Sequence, residues 1–272
     1  MTDEQRSQRG WIGEPNQSSR LWRGTTAAAF VMLDTMAEGN PFDGPYGTGK
    51  TEYERYLRTT ELLQLTKEPA NRTDPDELMF QSIHQIEEIW MKLMIHELGE
   101  AIVALDADRS AVACHSIDRA CRIEVLLEQQ LKLFETMLPT AYLVIRAGLG
   151  AGSGLDSPGF NRLNEIAPII WAAFARGLDR QGTDLLTLYQ EPASRPDILL
   201  VAEALVTLDA QMQRFKREHV MTVRRIIGIG TASLRGNPME MLERSAKMTY
   251  FPMLWAVRDR LFIDFKAGPL TY

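Results

Sequence analysis

The sequence predicts an all-α protein, a helical bundle, and three observations carry that prediction. Apolar residues recur at helical spacing over long stretches, strand-like alternation is absent, and helix start signals precede the periodic runs. Prolines fall at the expected helix boundaries, at Pro75, Pro196 and Pro238.

Residues 1–20 are polar and hold Gly, Pro, Ser, Asn and Gln, so a flexible N-terminal segment is expected there, with 21–272 forming a single domain. This stretch has no apolar core of the secretory type, and no uninterrupted apolar run in the chain is long enough to span a bilayer. A cytoplasmic protein without membrane contact is expected. Residues 21–36 read as an apolar helix that needs a partner surface. A loop at 38–49 follows. Next comes 76–106, long and free of internal proline, with Thr73, Asp74, Pro75, Asp76 and Glu77 marking its start. Ala120, Ile123, Leu127, Leu131 and Phe134 share one face of the following helix. Loops are expected at 148–158 and 228–238. Arg195-Pro196-Asp197 opens a helix through Leu208, with a further helix to Ile227, and Asn237-Pro238 starts a last helix to about Phe262.

The totals narrow the function classes. A chain of 272 residues, 45% hydrophobic and 24% charged, can bury a sizeable core. A net charge of -6 argues against nucleic acid, which needs a concentrated basic surface. Arg214, Lys216 and Arg217 lie near acidic residues and read as a solvated helix face. Cys114 and Cys121 stand two helical turns apart, too far for an easy disulfide, and read as reduced core thiols.

Gly44 to Thr51 matches the P-loop pattern, in which backbone N–H groups cradle phosphate. That pattern requires a buried strand feeding the loop. Asn40-Pro41-Phe42-Asp43 is turn chemistry instead, and the chain supplies no strands, so a glycine-rich loop capped onto a helix near Thr51 is expected.

The chain has four histidines, His84, His96, His115 and His219. None shows zinc spacing. Met212, Phe215, His219, Val223 and Ile226 share one helix stripe, which points the His219 imidazole into apolar surroundings. Iron porphyrin, an apolar disc with one neutral imidazole on its metal, suits such a place. Phe80, His84, Met91 and Leu98 share a face of the 76–106 helix. Periodicity alone favours reading both residues as ordinary core histidines, and His96 and His115 stay with that reading.

The stretch from Asp76 through Phe80, His84, Gln85, Glu88, Trp90 and Lys92, followed by His96-Glu97-Leu98, resembles the signature segment of tryptophan 2,3-dioxygenases. Thr51-Glu52-Tyr53-Glu54-Arg55-Tyr56-Leu57 resembles that family's paired-tyrosine helix. Glu135 to Pro139, Tyr142 to Arg146 and Leu149 to Gly154 resemble its carboxylate-holding segment. His219 to Gly228 resembles its axial-ligand helix, and Phe251-Pro252 with Val257-Arg258 its C-terminal helix.

The resemblance implies a bundle enclosing a b-type haem, with O2 as co-substrate and a tryptophan-like amino acid as substrate. It implies His219 as the axial iron ligand and His84 on the opposite side of the haem, near the indole nitrogen. Tyr53, Tyr56 and Phe80 would line the indole pocket. Arg146 and Tyr142 would hold the carboxylate, Ser153 would lie near the haem and bound oxygen, and Phe160 would stand at an aromatic position. A homo-oligomer, tetramer or dimer, is also implied.

The chain departs from the family after Gly228. The family's Gly-Thr-Gly-Gly-Ser-Ser-Gly loop is replaced by residues 229–238, which keep Thr231 and Ser233 and introduce Arg235. The segment between Glu165 and Gln211 is short as well. Both changes fall on the part that closes the pocket. The expected activity is therefore oxidation at indole C2/C3 of tryptophan or a substituted tryptophan. Either dioxygenation to an N-formylkynurenine-type product or mono-oxygenation to a 2-oxindole-type product would fit a reshaped lid. The alternatives are a haem-dependent hydroxylase of tyrosine, a P-loop nucleotide-binding protein, and a helical interaction protein without chemistry.

Overall fold

The computed structural model describes residues 46–150, 152, 154–228 and 239–267, and every described element is helical. The chain divides into two compact units, Met1–Ala70 and Asn71–Tyr272. The 1–20 segment and the 21–36 stripe lie outside the described residues. No helix among those described is long and apolar enough to cross a membrane.

In the first unit, α1 (Glu52–Leu57) and α2 (Thr59–Leu63) meet at Arg58, which adopts φ 55. The Thr51 hydroxyl accepts from Glu54 N–H while the Glu54 carboxylate accepts from Thr51 N–H, a complete capping box. The same carboxylate accepts from the amides of Thr48 (2.6 Å) and Gly49 (3.1 Å). The would-be phosphate cradle is thus filled by the chain's own anion. Those hydrogen bonds, with the Thr51 amide first, pull the Glu54 carboxyl down to about 2. A ligand phosphate would have to displace it, so the capped-loop expectation holds.

In the second unit, α3 (Glu77–Asp106) is the central rod. Its first turn is fixed by buried Glu77, whose carboxylate accepts from the Thr73 amide (2.7 Å) and hydroxyl (3.0 Å). Asp108, at φ 55, turns the chain into α4 (Ser110–Gln130), which tightens into a 3₁₀ stretch at Leu131–Thr136. Next come α5 (Pro139–Gly148), started by proline, and α6 (Pro158–Arg180), capped by the Ser157 hydroxyl. Then follow α7 (Leu185–Gln190) and α8 (Pro196–Ile227). The α8 segment is one uninterrupted helix where the sequence suggests two. The last expected helix is instead two, α9 (Met239–Ser245) and α10 (Pro252–Ala267), because Pro252 lacks the N–H that would continue it.

Helix α3 packs against α4 on one side and α6 on the other, and α4 packs against α8. The main core runs through all four, with Met94, Ile117, Ile170 and Leu205 at its centre. Gly159 sets the α3–α6 approach, since a Cβ there would lie 2.8 Å from Met91 Cβ and from Glu88 Oε2. At the far end Arg180 ties the α3–α4 turn, donating to Asp108 and to the Leu105 carbonyl. Cys114 and Cys121 are free thiols, and burial pushes Cys121 up to about 12.

Candidate active site

A second, smaller apolar cluster forms where the start of α3, the 3₁₀ stretch, α5 and the end of α8 converge. It comprises Ile83, Leu131, Phe134, Met137, Ile145 and Ile226, with Phe80, Tyr142 and Phe215 packed against it. Aromatic rings build its wall. The Phe80 ring lies 4.3 Å from His84, 6.0 Å from Phe134 and 6.1 Å from Tyr142, and Phe134 meets His84 edge-on at 5.5 Å.

His84 is oriented by its own helix. Its Nδ1 lies 2.7 Å from the Phe80 carbonyl oxygen one turn back. A carbonyl can only accept, so Nδ1 carries the proton and a neutral His84 presents an unprotonated Nε2. The ring keeps an exposed edge, yet loss of solvent pulls its pKa down, against the pull of the Phe80 carbonyl and Glu88.

His219 lies across from it on α8, stacked on Phe215 at 6.2 Å and 19°. Burial drives its pKa down to about 4, and the nearby His84 adds to that. Neither ring nitrogen of His219 has a hydrogen-bond partner among the described residues. The helix ends just beyond at Gly228, whose φ 80 and ψ 174 only glycine adopts readily.

Tyr142 and Arg146 share one face of α5. Burial raises the Tyr142 pKa, and the adjacent Arg146 cation works against that rise. Glu88, one turn after His84, reaches α6: its carboxylate accepts from the Ser157 hydroxyl (2.5 Å) and the Gly159 amide (2.9 Å). This brace fixes the histidine-bearing turn against the segment that follows residues 149–154.

Of the residues singled out from sequence, Phe80, His84, Tyr142, Arg146 and His219 come together. Phe160 packs against the main core beside Met91 and Lys216 and does not join the ring of Phe80 and Phe134. Tyr53 and Tyr56 lie in the first unit, 69% and 87% exposed. Ser153 and Thr231 lie outside the described residues. His96 and His115 are exposed on the bundle surface rather than held in the core. Phe134 and Glu88 are the additions. Phe134 reads from sequence only as one of a core stripe, and Glu88 only as part of the α3 signature. Lys216 is a correction: instead of sitting on a solvated face, it is buried.

Among the described residues no group of three or more His, Cys, Asp or Glu side chains could hold a bare metal ion. One neutral imidazole in apolar surroundings is instead the donor set for a metal whose other positions a macrocycle fills. The chemistry of His219 fits that donor set, and Phe215, Phe80, Ile83 and Ile226 give its cluster the apolar character an iron porphyrin would need.

The described fold is thus an all-helical domain in which His84 and His219 stand near one another beside Tyr142 and Arg146 of α5. A family profile described as tryptophan 2,3-dioxygenase matches residues 43–167. The tryptophan 2,3-dioxygenase of Myxococcus xanthus is 27% identical over 263 aligned positions, covering 78% of this chain and 90% of the relative. Those of Kineococcus radiotolerans (28%, covering 79% and 92%) and Caulobacter vibrioides (27%, covering 77% and 98%) are similar in extent. The chain is thus similar to the tryptophan 2,3-dioxygenase family, over residues 43–167 by the profile and over more than three quarters of its length by these relatives.

Proposed function

We propose that this protein is a haem-dependent oxygenase that uses O2 to oxidise the indole C2–C3 bond of tryptophan or a substituted tryptophan. The observation that carries this reading is the pair of nearby imidazoles that burial keeps neutral, His219 without a hydrogen-bond partner among the described residues and His84 held by its Nδ1 so that Nε2 is left as an acceptor. His219 would hold the iron. The haem, when bound, supplies the centre at which O2 is activated for transfer to the indole.

The chain's own groups do the rest. His84 Nε2 accepts from the indole N–H and orients the ring, while Phe80 and Phe134 pack on its faces. Arg146 pairs with the substrate carboxylate and the Tyr142 hydroxyl adds a donor, a charge-assisted clamp stronger than neutral hydrogen bonds. By the family pattern Tyr53, Tyr56 and Thr231 contact substrate and Ser153 stands near the reacting oxygen. A cytoplasmic homo-oligomer with one catalytic domain over 21–272 completes the reading.

Residues 229–238 depart from the family's closing loop, and that specific difference favours a second outcome: insertion of one oxygen, giving a 2-oxindole-type product. Mono-oxygenation also needs a two-electron donor to take the other oxygen to water, which dioxygenation does not. Mass spectrometry with labelled O2 and tryptophan decides between them, since one label or two is retained. The haem reading is tested by the visible spectrum of purified, haem-supplemented protein. A Soret band that His219→Ala abolishes is expected; absence of a Soret band in the parent sinks it.

A further inference from the structure

A small cavity, with Phe215 on its lining, lies where α3, α4, α6, α8 and Tyr250 meet. Met91, Leu127, Leu163 and Met212 give it apolar walls, and Glu124 and Lys216 enter it from α4 and α8. The two charged residues are 2% and 9% exposed. Glu124 Oε2 is buried with no hydrogen-bond partner among the described residues. The Lys216 ammonium sits 4.0 Å from the Tyr250 ring centroid, and among the described residues no ion pair within 4.0 Å reaches it. Each feels the other's charge all the same.

A buried carboxyl oxygen without a hydrogen-bond partner, facing an ammonium that meets only ring faces, is costly, because each forfeits hydrogen bonds it had in water. Native proteins resolve this with an ordered internal water. The free space, ≈ 10 Å³ counted as room for a water's centre, is about what one molecule needs. A second buried polar pair, Glu87 and Gln130, stands within reach of one another, and the Glu87 charge is felt at Glu124. Glu87 follows His84 by three residues and Lys216 precedes His219 by three.

We propose that this cavity is a structural water site in which a bound water bridges Lys216 Nζ and Glu124 Oε2, fixing the turn of α8 that carries His219. Lys216 donates to the water oxygen and the water donates to Glu124 Oε2, which accepts as the carbonyl oxygen of a carboxyl that burial keeps protonated at neutral pH. Lys216 and Glu124 are positioning residues, because they act on His219 only through the helix they anchor. Tyr250 closes the chamber on the Lys216 side, its hydroxyl donating to Asn164 Oδ1 at 2.9 Å.

A crystal structure of the purified protein should show a density peak about 2.7–3.2 Å from both Lys216 Nζ and Glu124 Oε2. A dry cavity, or direct contact between the two side chains, overturns the proposal. In denaturant unfolding, Lys216→Met and Glu124→Leu should each raise the unfolding equilibrium constant by about tenfold or more, since each strands the other group. Together they should do less damage than the product of the singles, by about fivefold or more. Multiplicative effects overturn the bridge. If Lys216→Met does not fold, Lys216→Gln paired with Glu124→Gln gives the same cycle.

The positioning role rests on the haem reading, and its readout is the iron–imidazole stretching band of the haem-loaded protein. That band should shift in Glu124→Leu and return toward the parent position in Glu124→Gln; no shift in either removes the positioning role. A parent without a Soret band would sink the haem reading while leaving the unfolding cycle to judge the water bridge.

Discussion

At the scale of single residues, His84 is the clearest case of local geometry deciding chemistry. The Phe80 carbonyl takes the proton on Nδ1, and desolvation disfavours a second proton, so Nε2 is left as an acceptor. An acceptor there recognises a donor, and an indole N–H is one. His84→Phe should therefore lower kcat/KM for tryptophan by about ten- to a hundredfold, the loss of one buried hydrogen bond. Its effect on the N1-methylated analogue, which has no N–H to donate, should be much smaller. Equal losses on both substrates would remove the role. Arg146→Gln should raise KM for tryptophan by about tenfold or more through the stranded carboxylate, with a smaller change for the decarboxylated amine, measured by steady-state kinetics.

At the scale of elements, two close fits set where the histidines stand. Gly159 lets α6 lie against α3 beside Glu88, and a methyl group there would meet Met91 Cβ at 2.8 Å. Gly159→Ala should cost about 1–3 kcal/mol, read by denaturant unfolding, because two long helices must separate. Asp209, fully buried on α8, anchors the start of α10. Its carboxylate accepts from the amides of Tyr250 and Phe251 (both 3.0 Å), from Trp255 Nε1 (2.8 Å) and from Gln213 (3.1 Å). Asp209→Ala strands those donors, so at least about 3 kcal/mol should be lost, with early hydrogen exchange in α10. Such elements were unequally legible in the sequence. Helix α3 could be read almost to its ends, since start signals and an unbroken periodicity agree. The α8 stripe carrying His219 was legible too, but its continuity across 208–211 was not, because the buried Asp209 breaks the apolar pattern with a charge. The break at Pro252 was written in the sequence and outweighed by flanking periodicity. Phe134 escaped because the 3₁₀ stretch turns it, so helical spacing could not show it facing His84. Lys216 escaped because charge argues for solvent, and only the Tyr250 ring and Glu124 from distant segments explain its burial.

At the scale of the whole molecule, the interior holds more ionisable groups than a bundle of this size needs, and their sum sets how stability follows pH. Burial, opposed in part by Gln130 at Glu87 and by Lys216 at Glu124, raises these carboxyls to about 7 and about 8 from an ordinary 4.5. The folded state therefore keeps two protons that the unfolded chain has released between pH 4.5 and 8. With the unfolded state binding fewer protons, stability falls as pH rises through that window. Their contribution is complete below pH 4.5 and lost above about 8. His219 acts in the opposite sense: depressed to about 4, it makes the haem-free protein lose stability as pH falls from 6.5 toward 4. The two effects overlap, so the parent's profile alone does not separate them. The variant Glu87→Gln/Glu124→Gln does, because its amides do not titrate while His219 is unchanged. The melting temperature of that variant relative to the parent should climb by several degrees as pH is raised from 5 to 8, and then level off. A difference that stays flat across pH 5–8 would mean the two carboxyls ionise in the fold as they do in water.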